Sequence, residues 1–193
     1  MLTLRSSTLL KKLLRLAQRS DIDLWSLDEC HFHQHGSRIA MWVPPEDKDP
    51  TLLLAPTRKS LSLFGAVNIK DGALITQFEK KFNAMSFQSF LGTLLHHRRK
   101  GKRMVVILDN AKYHHAQLLA PWLYKKENDF SLEFLPSYSP ELNPIERVWK
   151  LIRKVCIHNA YFPSLENLQN NVSTQLILWE KPNKILYKLC CVI

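Results

Sequence analysis

Short apolar runs alternate with polar breaks along most of this chain, and their periods separate strands from helices. "IDLWSLDEC" (residues 22–30) alternates and predicts a strand that ends in acids. "SRIAMWV" (37–43) predicts its hairpin partner. "SLSLFGAVN" (60–68) alternates and then runs apolar, a third strand, and "ALITQFE" (73–79) follows the Asp71–Gly72 turn as a fourth. "SFQSFLGTLLHHRR" predicts a helix capped by Ser86, with Gly101 beyond its end. Met104–Leu108 is unbroken in its apolarity, as in a strand buried on both faces and paired in parallel. A helix over 116–126, a short strand over 131–135 and two or three closing helices complete the pattern. Near the start, Leu9, Leu10, Leu13, Leu14 and Leu16 recur at helical spacing, and the lysines among them exclude a signal-peptide core.

A meander of strands followed by alternating helices and strands predicts an α/β domain with a mixed sheet flanked by helices. At 193 residues one domain accounts for the chain. Val43–Ser60 carries four prolines and reads as a long ordered loop. The net charge of +10 favours a polyanionic partner, nucleic acid before membrane. No apolar stretch approaches the roughly 18–20 residues of a membrane span. The four cysteines, Cys30, Cys156, Cys190 and Cys191, form no CxxC pair, and the expectation is a reducing cytoplasm without a disulfide framework.

Three acids stand out by placement. Asp28 lies at the end of the first predicted strand, Asp109 follows the buried run, and Glu146 opens a helix. Each has a plain alternative: a solvated strand-end acid, an Asx turn, and a helix cap. Asp28 and Glu29 point to opposite faces of a strand, so at most one faces a given site. "SYSPELNPIERVWK" (137–150) makes Asn143 an N-cap, Pro144 the first helical residue and Glu146 the third, with Lys150 one turn on. Ile145, Val148, Trp149, Ile152 and Cys156 form the apolar face of that helix. Carboxylates crowded in a basic protein repel one another unless a cation intervenes, and Mg²⁺ prefers oxygen ligands. Two such ions roughly 3.5–4 Å apart suit phosphodiester displacement. Cys30, His31, His33 and His35 suggest zinc, but a fourth ligand cluster is not evident.

"SLDECHFHQHG…MWVPP", "VVILDNAKYHHA" and "LPSYSPELNPIERVWKLIRK" together resemble the DDE transposases of bacterial insertion sequences in the Tc/mariner superfamily, over roughly residues 20–190. The resemblance implies an RNase H-like fold over residues 21–193, with residues 1–20 an amphipathic helix or linker remnant. It implies a catalytic, metal-binding triad of Asp28, Asp109 and Glu146 holding two Mg²⁺ ions, with Mn²⁺ able to substitute. The implied reaction is cleavage of double-stranded DNA at transposon ends and strand transfer into target DNA. Arg98, Arg99, Lys100, Lys102 and Arg103, with His114, Arg147, Lys150 and Arg153, are the expected DNA contacts, and His114 is alternatively placed to orient a water. Family members generally carry an N-terminal helix-turn-helix, whereas about 20 residues precede the first strand here. The expectation is therefore a separately encoded helix-turn-helix partner, and the paired-end cleavage of the family implies a dimer on DNA. The competing expectation is a non-catalytic remnant that binds DNA or a transposase partner.

Overall fold

Strand β1 (Ile22–His33) has a neighbour on each side, and this sets the architecture. With β2 (Ser60–Asn68), β3 (Leu74–Phe78), β4 (Arg103–Leu108) and β5 (Phe130–Phe134) it forms one sheet in the order β3-β2-β1-β4-β5. The β1–β2 and β2–β3 pairs are antiparallel, while β1–β4 and β4–β5 are parallel, so the sheet is mixed as the pattern predicts. The computed structural model describes residues 4–46, 51–136 and 139–191, without the side chains of residues 4–10 and 140.

The helices are α1 (Leu4–Gln18), α2 (Ala84–His96), α3 (Ala120–Lys125), α4 (Ile145–Ile152), α5 (Leu165–Trp179) and α6 (Lys184–Cys190). They cover both faces of the sheet. On one face Trp25, Leu27, Phe64, Val106 and Leu108 pack against Phe87, Phe90, Leu91 and Leu94 of α2. On the other, Cys30, Phe32, Leu63 and Val67 pack against Ile145, Val148, Trp149 and Ile152 of α4 and against α5 and α6. Lower on that second face, Leu13 of α1 closes over Leu24, Val105 and Ile107. Period-two alternation therefore assigns Ser26, Asp28 and Cys30 to the α4 face and Trp25, Leu27 and Glu29 to the α2 face.

Four local expectations change. Residues 37–43 are not a strand: the hairpin partner of β1 is β2, which pairs it from Trp25 to His33. Ser37 keeps an isolated bridge to His158, and Trp42 beyond it is fully exposed. The cap of α2 is Asn83, whose side chain accepts from Met85 and Ser86; Ser86 returns a bond to the Asn83 N–H, completing a capping box. The helix expected over 116–126 is shorter: a 3₁₀ turn at Gln117–Leu119, preceded by another at Lys112–His115, leads into α3, where Pro121 sits in the first turn. Finally, β1 runs on to His33, so Asp28 is inside the strand rather than at its end.

Candidate active site

The site is built where β1, β4 and α4 meet. Parallel pairing of β1 with β4 ends at Ser26↔Ile107, and two further residues along the same register bring Asp28 level with Asp109. Asp109 thus follows the carboxyl end of β4, where open α/β sheets hold their ligands, and Asp28 lies within β1 just past the stretch paired with β4. Glu146 arrives from α4, and its charge acts on Asp28. Trp149, three residues further along the helix, donates its indole N–H to Asp28 Oδ2 at 3.2 Å. Burial, together with the charges of Glu29 and Glu146, pushes the Asp28 carboxyl up to about 8. Among the described residues no ion pair reaches Asp28 or Glu146. The i,i+4 pair of Glu146 with Lys150 is accordingly not formed, which leaves the Glu146 carboxylate available to the site.

Asn143 aims the helix. It is not the cap expected of it: Pro144 holds the N-cap position with helical backbone angles and makes no side-chain cap. Instead the buried Asn143 side chain reaches β1, accepting from the Ser26 hydroxyl and donating to the Leu27 carbonyl at 3.1 Å. Ser26 Oγ in turn accepts the N–H of Ile145, the first residue of α4, at 3.1 Å. A strand residue thus caps the helix from outside, and the first turn of α4 is fastened beside Asp28. Ser137 and Tyr138 of the same motif lie outside the described residues.

Asp109 is half exposed and bonded within its own loop. Its Oδ1 accepts from the Ala111 N–H at 3.1 Å and from His114 Nδ1 at 3.1 Å. His114 is buried between carboxylates, with Nε2 at 3.0 Å from Glu29 Oε1, and Tyr113 also donates to that oxygen. Burial works against a charged His114, but its hydrogen bonds to Asp109 and Glu29 outweigh it and raise the imidazolium pKa to about 9. The hydrogen bond from His114 holds Asp109 below the usual carboxylate range. Glu29, Asp109 and His114 have ligand atoms within 4.8 Å of one another.

The expected DNA contacts divide. Arg153 lies over the Phe32 ring at 5.6 Å, with a guanidinium nitrogen 3.2 Å from Cys30 Sγ, on the same face as Asp28. Lys150 is exposed on α4, and Arg147 is exposed but donates to the Leu189 carbonyl. His114 does not present itself to DNA: its side chain is 1% exposed and both ring nitrogens are engaged. Arg98, Arg99, Lys100, Lys102 and Arg103 are not brought to the acids. They lead into the start of β4, and Asp109 follows its end, six residues or roughly 20 Å of strand away. Arg98 pairs there with Asp129, and Arg99 with Asp71 and the buried Asp23.

The sequence reading missed the Ser26–Asn143 clasp, the Trp149 bond to Asp28 and the Glu29–His114 link. Alternation separates Glu29 from Asp28, but nothing local in the sequence names the partners, which lie 84–121 residues away.

A mixed sheet flanked by helices, with acids on two neighbouring parallel strands or just past them and another on a packed helix, defines an α/β domain with a carboxylate site. The chain belongs to the DDE superfamily endonucleases, whose family pattern it matches over residues 23–169. It is 38% identical over 68 residues to the uncharacterized protein y4pE/y4sA of Sinorhizobium fredii (strain NBRC 101917 / NGR234), covering 35% of this chain and 47% of that one. Among solved structures it is similar to the Mos1 transposase paired-end complex with left transposon end, at TM-score 0.70 and 18% identity. That match covers 95% of this chain and 55% of the other. The catalytic domain of Mos1 mariner transposase matches at TM-score 0.62 and 17% identity, over 95% and 82% of the two chains. The fold is thus RNase H-like, as the resemblance implies. The chain spans about half the length of the first relatives it matches. No helix among the described residues is long and apolar enough to cross a membrane.

Proposed function

We propose that this chain is the catalytic domain of a transposase, cutting DNA at transposon ends and joining the freed end to target DNA. The observation that carries the reading is the pair Asp28 and Glu146, whose charges act on one another beside the Ser26–Asn143 clasp, with Asp109 just past the last residue of the neighbouring strand β4. The family match supports a nuclease, and the Mos1 complexes with Mg and with Mn are similar in fold.

The donor set fits a hard divalent cation. Asp28 is a carboxyl pushed upward by burial and by its acidic neighbours, the situation a bound cation relieves. Asp28, Asp109 and Glu146 would hold two Mg²⁺ ions, with Mn²⁺ as substitute. When bound, such ions lower the pKa of an attacking hydroxyl and stabilise the departing oxygen. The reaction is hydrolysis followed by transesterification. Water oxygen bonds to phosphorus as the P–O3′ bond breaks, and the leaving oxygen takes a proton to become a 3′-hydroxyl. That hydroxyl loses its proton as it attacks a target phosphorus, and the target's own 3′-oxygen departs and takes up a proton. Trp149 fixes the Asp28 carboxylate, the clasp fixes Glu146, and Arg153 with Lys150 faces the DNA backbone beside them. We propose that two copies of the chain act on paired ends, with end recognition supplied by a helix-turn-helix region.

The test is cleavage of a labelled duplex carrying the element's own ends, with Mg²⁺ or Mn²⁺ and the recognition partner present. Wild type should cut and yield strand-transfer products, and Glu146→Gln should do neither. Metal-dependent activity retained in Asp109→Ala or Glu146→Gln would overturn the triad.

A further inference from the structure

Behind Asp109 stands a group of side chains that the proposed reaction does not use. His114 lies in the 3₁₀ turn Lys112–His115, directly after the β4 exit loop. The Phe87 ring, at 4.2 Å between centroids, and the Tyr113 ring, at 4.4 Å, wall it in. Its Nδ1 faces Asp109 Oδ1 at 3.1 Å and its Nε2 faces Glu29 Oε1 at 3.0 Å. Tyr113 donates to the same Glu29 oxygen. A buried imidazole with a carboxylate at each nitrogen has neither ring nitrogen left for substrate.

Glu29 is the chain neighbour of Asp28 and points to the opposite face of β1. The link Glu29–His114–Asp109 therefore runs from the strand that bears Asp28 to the loop that bears Asp109. Asp109 needs such a link. It is half exposed, just past the last residue of β4, and otherwise bonds only within its own loop. Carboxylates and histidines behind metal ligands serve to fix the ligand's orientation, and losing one typically weakens metal binding about 10–100-fold.

We propose that His114 is a positioning residue, anchored by Glu29 and Tyr113, which fixes the Asp109 carboxylate for cation capture. This rests on Asp109 being a metal ligand, as proposed above.

Mn²⁺ binding to the full chain, followed by calorimetry and by loss of the free-ion electron-resonance signal, tests it without DNA or turnover. Asp109→Ala serves as the reference. His114→Ala should weaken Mn²⁺ binding about 10–100-fold, His114→Gln should recover part of the loss through a single donor to Asp109, and Glu29→Gln should weaken it less than His114→Ala. Thermal unfolding without metal reports packing separately. If Asp109→Ala binds Mn²⁺ like wild type, the triad reading falls and this proposal with it. If Asp109→Ala weakens binding but folded His114→Ala and Glu29→Gln bind like wild type, or tighter, His114 only fills space and the proposal alone is overturned. Should His114→Ala fail to fold, Glu29→Gln and His114→Gln decide the matter in the same way.

Discussion

Asp28 shows how much one carboxyl can be asked to bear. Burial and the charges of Glu29 and Glu146 raise it to about 8, while the Trp149 N–H only partly offsets them. The sign of the linkage follows. A carboxyl whose folded pKa lies above its unfolded value favours folding most at low pH. That contribution is lost as pH rises from the ordinary carboxylate range, about 4, through the folded value of about 8. Metal-free wild type should therefore lose melting temperature across this window, and Asp28→Asn should lose less and be the more stable protein at the alkaline end. Mg²⁺ should restore wild type but not the variant, with protons released on binding at neutral pH. Thermal unfolding in chelator across the pH series checks this, and parallel slopes for the two proteins would refute it. Gly65 bears on the same carboxyl from behind. A Cβ there would collide with the Trp149 ring, so Gly65→Ala must push the indole that bonds Asp28. Overpacking of this kind costs about 1–3 kcal/mol, and a lowered melting temperature with weakened Mn²⁺ binding is the expected pair of readouts.

At the scale of elements the decisive piece is the entry to α4. In the sequence, Asn143–Pro144 reads as a local cap, because turn chemistry is the only information a short window carries. The folded chain uses Asn143 across 117 residues, to hold Ser26 and the Leu27 carbonyl. The helix, its apolar face and the position of Glu146 in its first turn were legible, since periodicity and Pro144 determine them. The clasp was not, because no spacing encodes a contact between a strand and a helix so far apart. The same division explains the strands. Unbroken apolarity marked β4 as buried and parallel, whereas 37–43 had a strand's pattern but β2 is the hairpin partner of β1. Asn143→Ala leaves buried partners on β1 unsatisfied, which costs about 1–3 kcal/mol. Cleavage measured well below the melting temperature should fall by more than that stability loss explains, because Glu146 loses its register against Asp28. Equal cleavage by the folded variant and wild type would show that the clasp supports the fold alone.

For the whole molecule the question is which of its cations meet DNA. A net charge of +10 says that a polyanion is attracted but not where it lies. The richest run in the sequence, Arg98–Arg103, sits at the start of β4, and two of its arginines are occupied by Asp129, Asp71 and Asp23. Arg153 and Lys150 belong to the α4 side, next to Asp28 and Glu146. Density of charge along the chain therefore misleads, because a strand separates the run from the acids that follow it. The two groups can be told apart by salt. Each phosphate contact removed lowers the dependence of log K on log salt by about one for duplex DNA. Lys150→Gln with Arg153→Gln should weaken binding to cleavable duplex, flatten its salt dependence by about two and slow cutting at saturating metal. Lys100→Gln with Arg103→Gln should leave cutting of bound duplex unchanged, whatever it does to overall affinity, since β4 separates Arg103 from Asp109. The reverse ranking in single-turnover cleavage would place the DNA across the opposite end of the sheet and separate it from Asp28, Asp109 and Glu146.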